Sequence, residues 1–338
     1  MKSSSIKIAI FAAGTGGHIY PALSIAEEFG KDNVIFIASN RDLEKKIFKD
    51  SGFQVKHLNI SGFRGKNIFE KILWPVNLLF GVFSTITIFL KFKPSRVLLM
   101  GNYISVIGLI SSIFLFKPLF IHEQNSILGS ANKLSLPFAK KLFSTFKLNF
   151  QKELNYGQPV RPDFKSLSYQ TTETKEHILV LGGSQGASFF NKNLPKIFED
   201  LDLNSKVIFQ IGDNIELSPH SNIEYVNFIE DMPKVMSKAK FIICRAGAST
   251  VAEVQSLGLP AIFIPLPNSI DNHQTKNAEL ACLNGGGKIL HQREFSEHSF
   301  LEKIKEFDGC NHQELSKKMR KSIHLESAKK IANEIKQY

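Results

Sequence analysis

The sequence predicts an α/β fold of two doubly wound domains, each a parallel sheet with helices on both faces. Three observations carry this. The chain has 338 residues, enough for two cores at about 100–200 residues per domain. Both halves open alike, with an apolar strand, a glycine-rich loop and a helix. Apolar runs then alternate with helical stretches, as expected for strands buried on both faces.

In chain order, residues 6–13 read as the first strand. Gly14-Thr15-Gly16-Gly17-His18 follows, then a helix over 21–29 with Pro21 suited to its first turn. Residues 34–38, 97–100 and 119–122 are further strands, with a helix from about Ser105. The second half opens with a strand at 177–181, the loop Gly182-Gly183-Ser184-Gln185-Gly186-Ala187 and a helix through Phe198. Strands at 206–211, 241–244 and 261–265 come next. The breaker-rich run 157–162 marks the seam, giving domains of 1–161 and 162–320. Residues 313–336 read as one charged amphipathic helix.

Composition excludes several classes. With 43% hydrophobic and 22% charged residues, the chain is neither disordered nor fibrous. Cys244, Cys282 and Cys310 form no CxxC pair and read as reduced thiols of a cytosolic protein. The formal charge of +11 is unevenly placed. Residues 1–161 hold 21 Lys and Arg against 9 Asp and Glu, and residues 162–338 hold 21 against 22. Two uncharged stretches, 72–90 and 97–116, reach transmembrane length. The second breaks at Gly101-Asn102-Tyr103 into strand, turn and helix. The first lies between Arg64, Lys66, Lys71 and Lys91, Lys93, Arg96, the pattern of a segment lying on an anionic leaflet, although a buried core helix with solvated ends fits equally. No signal peptide is expected. A nucleic-acid partner is disfavoured, because the aromatics sit in apolar runs rather than among arginines.

Glycine loops between a strand and a helix present backbone N–H groups to anions at the positive end of the helix dipole. Neither loop has the GxGxxG spacing, and no Walker motif GxxxxGK[ST] is present, so nicotinamide, flavin and P-loop enzymes are disfavoured. Two such loops suit a transferase with a phosphorylated donor and a phosphorylated acceptor. His18, at a helix start, would stay neutral near pH 7 and suits a general base, with a mere capping role as its alternative. In Cys244-Arg245-Ala246-Gly247-Ala248-Ser249-Thr250-Val251-Ala252-Glu253, helix-start amides and the two hydroxyls could hold a diphosphate, and Glu253 a ribose. A capping box from Ser249 or Thr250 to Glu253 explains the same residues. His122-Glu123-Gln124-Asn125 and Asp271-Asn272-His273-Gln274-Thr275-Lys276-Asn277-Ala278 form polar loops at the carboxyl edges of the sheets, with Glu123 as fallback base. No metal is expected.

These runs, in this order and spacing, closely resemble the MurG family, the UDP-N-acetylglucosamine:lipid I transferases of bacterial peptidoglycan synthesis. The resemblance covers essentially the whole chain. It implies two Rossmann-like domains facing across a cleft (the GT-B type), with 321–338 packing back on the first domain. It also implies inverting transfer of GlcNAc from UDP-GlcNAc to the C4 hydroxyl of MurNAc in undecaprenyl-pyrophosphoryl-MurNAc-pentapeptide, giving lipid II and UDP without a cofactor. On this resemblance Glu253 holds the ribose, and Ala248, Ser249 and Thr250, with Val251 and Ala252, line the diphosphate region. Arg161 and Ser184 contact the donor, Gln274 the sugar hydroxyls and Ile229 the uracil. Thr15, Gly16, Gly17 and Asn125 close over the sugar, and His18 is the base. The implied setting is peripheral, on the cytoplasmic face of the inner membrane, in cell-wall biogenesis, cell shape and division, alongside other cell-wall synthesis proteins. Another UDP-sugar enzyme of the same fold, such as a glycolipid synthase or an epimerase, is the alternative. Asn102 departs from the family's second glycine, and residues 105–108 lack its Gly-Pro-Gly.

Overall fold

The computed structural model describes residues 6–338 except 61, 63–67, 170–174, 184, 185, 200–204, 213, 214 and 216, and the side chains of 68–72. The chain divides into two compact units, Met1–Arg161 with Glu326–Tyr338, and Pro162–Leu325.

The first unit runs β1 (Ile8–Phe11), α1 (Gly16–Glu27), β2 (Val34–Ser39), α2 (Asp42–Lys49), β3 (Gln54–Leu58), α3 (Ile68–Phe92), β4 (Arg96–Leu99), α4 (Ile104–Phe114), β5 (Leu119–Glu123), α5 (Ser130–Ser135), β6 (Lys141–Ser144) and β7 (Glu153–Asn155). Its seven strands pair in the order β3-β2-β1-β4-β5-β6-β7, all parallel. The second unit runs β8 (His177–Leu181), α6 (Ser188–Glu199), β9 (Lys206–Gln210), β10 (Ile223–Val226), α7 (Met232–Lys238), β11 (Ala239–Cys244), α8 (Ala248–Leu257), β12 (Ala261–Phe263), α9 (His273–Cys282), β13 (Gly287–Ile289), α10 (Glu297–Asp308) and α11 (His312–Met319). Its order, β10-β9-β8-β11-β12-β13, repeats the plan and is also parallel. In each sheet the order reverses beside the first strand, at β1/β4 and at β8/β11. Open α/β sheets bind ligands outside the carboxyl ends of their strands at such points.

Several expectations need correction. Helix α1 begins at Gly16, so Pro21 falls in its second turn rather than its first. The expected single tail helix is broken. Met319 ends α11, Arg320 takes an extended conformation, and a short turn at Ser322–His324 precedes α12 (Ser327–Lys336). Only the last stretch, from Glu326, belongs to the first unit. There Ala328, Ile331, Ala332 and Ile335 are buried among Ile19, Ala22, Ile25 and Phe29 of α1 and the turn after it. Each buried isoleucine contributes about 1.5–3 kcal/mol. Ser327 Oγ donates to Gly157 O at 2.7 Å, Lys336 Nζ to Glu28 O at 2.6 Å, and the Tyr338 ring meets Phe120 edge-on at 5.3 Å.

Helix α3 has 25 residues and contains Pro75. It is apolar and long enough to cross a membrane, but Val82, Thr85 and Phe89 are buried on one side. Val82 and Phe89 belong to the core of the first unit with Phe11, Leu99 and Ile107. That side is committed to the domain. The opposite side is open, with Phe80 70% and Phe83 68% exposed beside Leu73, Val76, Leu79 and Leu90. Arg64 and Lys66 lie outside the described residues, and the side chain of Lys71 is likewise not described.

Candidate active site

In the first unit the residues singled out in the sequence gather at the carboxyl ends of β1, β4 and β5. The loop after β1 is four residues long and tightly anchored. Gly14 N–H donates to the buried Glu44 carboxylate at 2.7 Å, and Ser39 donates to the same group through N–H at 2.8 Å and Oγ at 2.6 Å. Gly14 has φ +102°, and a Cβ there would sit 2.5 Å from Asn102 Nδ2, so this corner requires glycine. Asn102 adopts left-handed φ +75°, which asparagine tolerates. Its Nδ2 donates to Ala13 O at 2.9 Å, and its Oδ1 accepts the Tyr103 N–H. The departure from glycine thus ties the loop after β1 to the loop after β4.

Thr15 caps α1 without a side-chain hydrogen bond, and no acidic residue follows in the first turn. The helix start at Gly16 and Gly17 carries the positive end of its dipole, with no acidic residue in its own first turn and the Glu44 carboxylate held at Gly14 just ahead of it. His18, half-buried, sits in that turn with Nδ1 3.0 Å from Met100 O and 3.1 Å from Gln124 Oε1. Next to it in space, His122 is fully buried, and desolvation pushes its pKa down to about 3, so the ring is neutral.

Glu123 is almost fully buried and its oxygens are committed. Oε1 accepts Asn125 N–H at 3.0 Å; Oε2 accepts Gly129 N–H at 2.9 Å and Asn132 Nδ2 at 2.8 Å. The carboxylate acts as the clamp of the loop that carries Asn125, an arrangement poorly suited to the fallback base. Arg161 lies with its guanidinium 5.3 Å from the Tyr20 ring of α1.

In the second unit the corresponding edge is built from the loops after β8, β11 and β12. Gly186 has φ +73°, and a Cβ there would lie 2.1 Å from Ile211 O, which forces glycine. Ser184 lies outside the described residues. Helix α8 is capped by Gly247 without any side-chain hydrogen bond, so the capping box is not formed. Ser249 and Thr250 lie inside the first turn, half-buried, with Glu253 one turn further on and also half-buried. Ala248, Val251 and Ala252 are buried and set the helix against the sheet. The run 271–278 is mostly helix rather than loop. Asp271 and Asn272 both take left-handed φ, 54° and 55°, ahead of α9. Gln274 Oε1 accepts Leu266 N–H at 3.0 Å. Ile229 N–H donates to Gln210 Oε1 at 3.3 Å, and Gln210 Nε2 donates to Gly183 O at 2.9 Å, joining the expected uracil residue to the glycine loop.

Three organising residues were given no role in the sequence, although Arg245 and Asn277 lie within the runs quoted there. Glu44 and Asn277 act on distant partners; Asn277 Nδ2 donates to Ala246 O at 3.1 Å and holds the loop after β11. Arg245, buried, spans Ile264 O at 3.0 Å, Pro265 O at 3.1 Å and Gln292 Oε1 at 2.9 Å, and stacks 4.6 Å from the Phe190 ring. Burial lowers its pKa to about 10, still well above neutrality, so it remains a cation at the loop that precedes α8.

Comparison with known proteins gives these two edges a class. Residues 8–144 match the glycosyltransferase family 28 N-terminal domain, and residues 177–335 match the family 28 C-terminal domain, which makes the chain a GT-B glycosyltransferase. A UDP-N-acetylglucosamine–N-acetylmuramyl-(pentapeptide) pyrophosphoryl-undecaprenol N-acetylglucosamine transferase of Buchnera aphidicola is 38% identical, over 96% of this chain and 97% of its own. The enzyme of the same name from Ralstonia nicotianae is 31% identical over 96% and 94%. A crystal structure of Acinetobacter baumannii MurG superposes with a TM-score of 0.77 at 27% identity, covering 98% of this chain and all of the other. The chain belongs to the MurG family of N-acetylglucosamine transferases.

Proposed function

We propose that the protein transfers N-acetylglucosamine from UDP-GlcNAc to the C4 hydroxyl of MurNAc in undecaprenyl-pyrophosphoryl-MurNAc-pentapeptide, with inversion, giving lipid II and UDP. The observation that carries this is family membership over the whole chain, together with a ligand edge at each sheet reversal. The second unit takes the donor. Gly247-capped α8 offers amide groups at Ala248, Ser249 and Thr250 to the diphosphate, with no acidic residue in the turn to oppose it. Glu253 accepts the ribose hydroxyls, Gln274 the sugar hydroxyls, Ile229 the uracil, and Ser184 and Arg161 contact the donor. Thr15, Gly16, Gly17 and Asn125 contribute from the first unit.

His18 is the base. Its Nδ1 faces two acceptor oxygens, so the neutral ring carries its lone pair on Nε2. Nε2 takes the C4 hydroxyl proton as that oxygen attacks the anomeric carbon, and the bond to UDP breaks. The helix dipole and amides of α8 stabilise the charge that develops on the departing diphosphate.

The membrane setting belongs to the same proposal. The positive excess of the first unit lies on the domain that also exposes Phe80, Phe83 and Leu79 of α3, Phe114 at the end of α4 and, just after it, the 93% exposed Phe116. Apolar side chains with Lys91, Lys93 and Lys117 nearby in sequence suit peripheral docking on an anionic leaflet.

An acceptor assay tests the function. UDP should be released from UDP-GlcNAc only when lipid I or a short-chain analogue is present. Turnover with diacylglycerol instead would assign the chain to glycolipid synthesis.

A further inference from the structure

The amide of Gln124 lies 2% exposed at the end of β5, between the His18 ring and the end of β4. Gln124 Nε2 donates to Met100 O at 2.9 Å. A carbonyl oxygen only accepts, so this contact fixes which end of the amide faces which partner. Gln124 Oε1 is thereby left facing His18 Nδ1 at 3.1 Å, and Met100 O also lies 3.0 Å from the same nitrogen. Both neighbours of Nδ1 are acceptors. The proton of the neutral imidazole therefore belongs on Nδ1, where it is shared between the two oxygens.

We propose that Gln124 is a positioning residue that sets the tautomer and the orientation of the His18 ring, holding Nε2 as its basic nitrogen. The kinetic side of this proposal rests on His18 being the base; the tautomer does not. The choice of an amide has a physical reason. A carboxylate at this buried place would also accept from Nδ1–H, but its charge would favour the imidazolium and leave Nε2 protonated before the acceptor arrives. A neutral amide orients the ring without charging it. The tie also runs through Met100 O, two residues before Asn102, whose side chain joins the same two loops. Of the other ionisable groups described in this unit, His122 on β5 acts on the His18 ring electrostatically, Glu123 follows it in the chain and is bonded to Asn125 N–H, Glu44 on α2 is bonded to Gly14 N–H, and Arg161 lies over the Tyr20 ring. Burial keeps His122 neutral down to about pH 3, so it does not titrate near neutrality.

The experiment combines imidazole ¹⁵N NMR with pH-dependent kinetics on the full chain. His18→Ala identifies the His18 signals by their loss. In the wild-type protein, Nδ1 should be protonated and Nε2 bare above the His18 pKa. In Gln124→Leu, with Met100 O left as the one of these two acceptors, the tautomers should mix in part and the ring orientation loosen, and kcat should fall about tenfold or more while UDP affinity stays within about twofold. In Gln124→Glu the acid limb of kcat/KM should move up by about 1–3 pH units. A wild-type Nε2–H tautomer overturns the proposal without any variant. An unchanged acid limb in a folded Gln124→Glu overturns it as well. Should His18→Ala keep full kcat while Gln124→Leu still scrambles the tautomer, the positioning role stands and the base assignment falls.

Discussion

Replacing Glu123 by glutamine separates a loop clamp from a catalytic base. The carboxylate accepts three close hydrogen bonds, from Asn125 N–H at 3.0 Å, Gly129 N–H at 2.9 Å and Asn132 Nδ2 at 2.8 Å. Glutamine keeps the shape but turns one oxygen into an NH2 group that must face a donor. If the amide oxygen faces Gly129 and Asn132, the Asn125 amide loses its acceptor; the opposite flip strands the other two donors. Hydrogen bonds to a charged group contribute about 1.5–3 kcal/mol each, and a stranded buried donor costs about 1–3 kcal/mol more. The best flip loses one bond and weakens two, so Glu123→Gln should cost about 3–5 kcal/mol. For a unit of this size that lowers Tm by about 10 °C. Calorimetry reads the loss, and a pH–rate profile reads the chemistry. The clamp reading expects a lower Tm, a reduced kcat and an acid limb that does not move. A Tm within about 2 °C of wild type, together with a vanished acid limb, would refute it and make Glu123 the base.

Three further outcomes follow from the same structure. Ile335→Ala at the end of the chain should destabilise the first unit by about 2–5 kcal/mol, seen in urea unfolding, since its side chain is fully buried against α1. His122 and His324 are buried with pKa values pushed down to about 3, so the unfolded chain binds their protons first on acidification. Stability should therefore fall as pH drops below about 6.5, by about 2–3 kcal/mol per histidine at pH 4.5, and His324→Gln should flatten the pH dependence of Tm in that window. Glu253→Ala should raise KM for UDP-GlcNAc by about tenfold, the loss of a hydrogen-bonded charged group from the ribose; unaltered kinetics would remove the ribose contact.

The central strands were legible because burial on both faces turns them into unbroken apolar runs, as in Ile8–Phe11 and His177–Leu181. Edge strand β3 reads Gln-Val-Lys-His-Leu and is mostly accessible, so nothing in its composition marks it. β7 and β13, three residues each, are too short to carry a periodicity. The tail kept a helical charge pattern across the extended residue Arg320, which hid the break between α11 and α12. At the site, glycine loops after strands announced themselves through local sequence alone. The groups that hold those loops did not. Glu44 acts on Gly14 thirty positions away, and Gln124 acts on His18 at a separation of 106, contacts that only the sheet order creates. Glu123 was visible as an acid at a ligand edge, but its commitment to three donors depends on the turn through Gly129 and Asn132.

The most direct test of the account is the anomeric configuration of the bond formed when the purified protein is given UDP-GlcNAc and a soluble lipid I analogue. Proton NMR of the isolated disaccharide product should show a β-linkage to C4 of MurNAc, with one UDP released per bond. An α-linkage, a different acceptor position, or UDP release at the same rate without acceptor would contradict it.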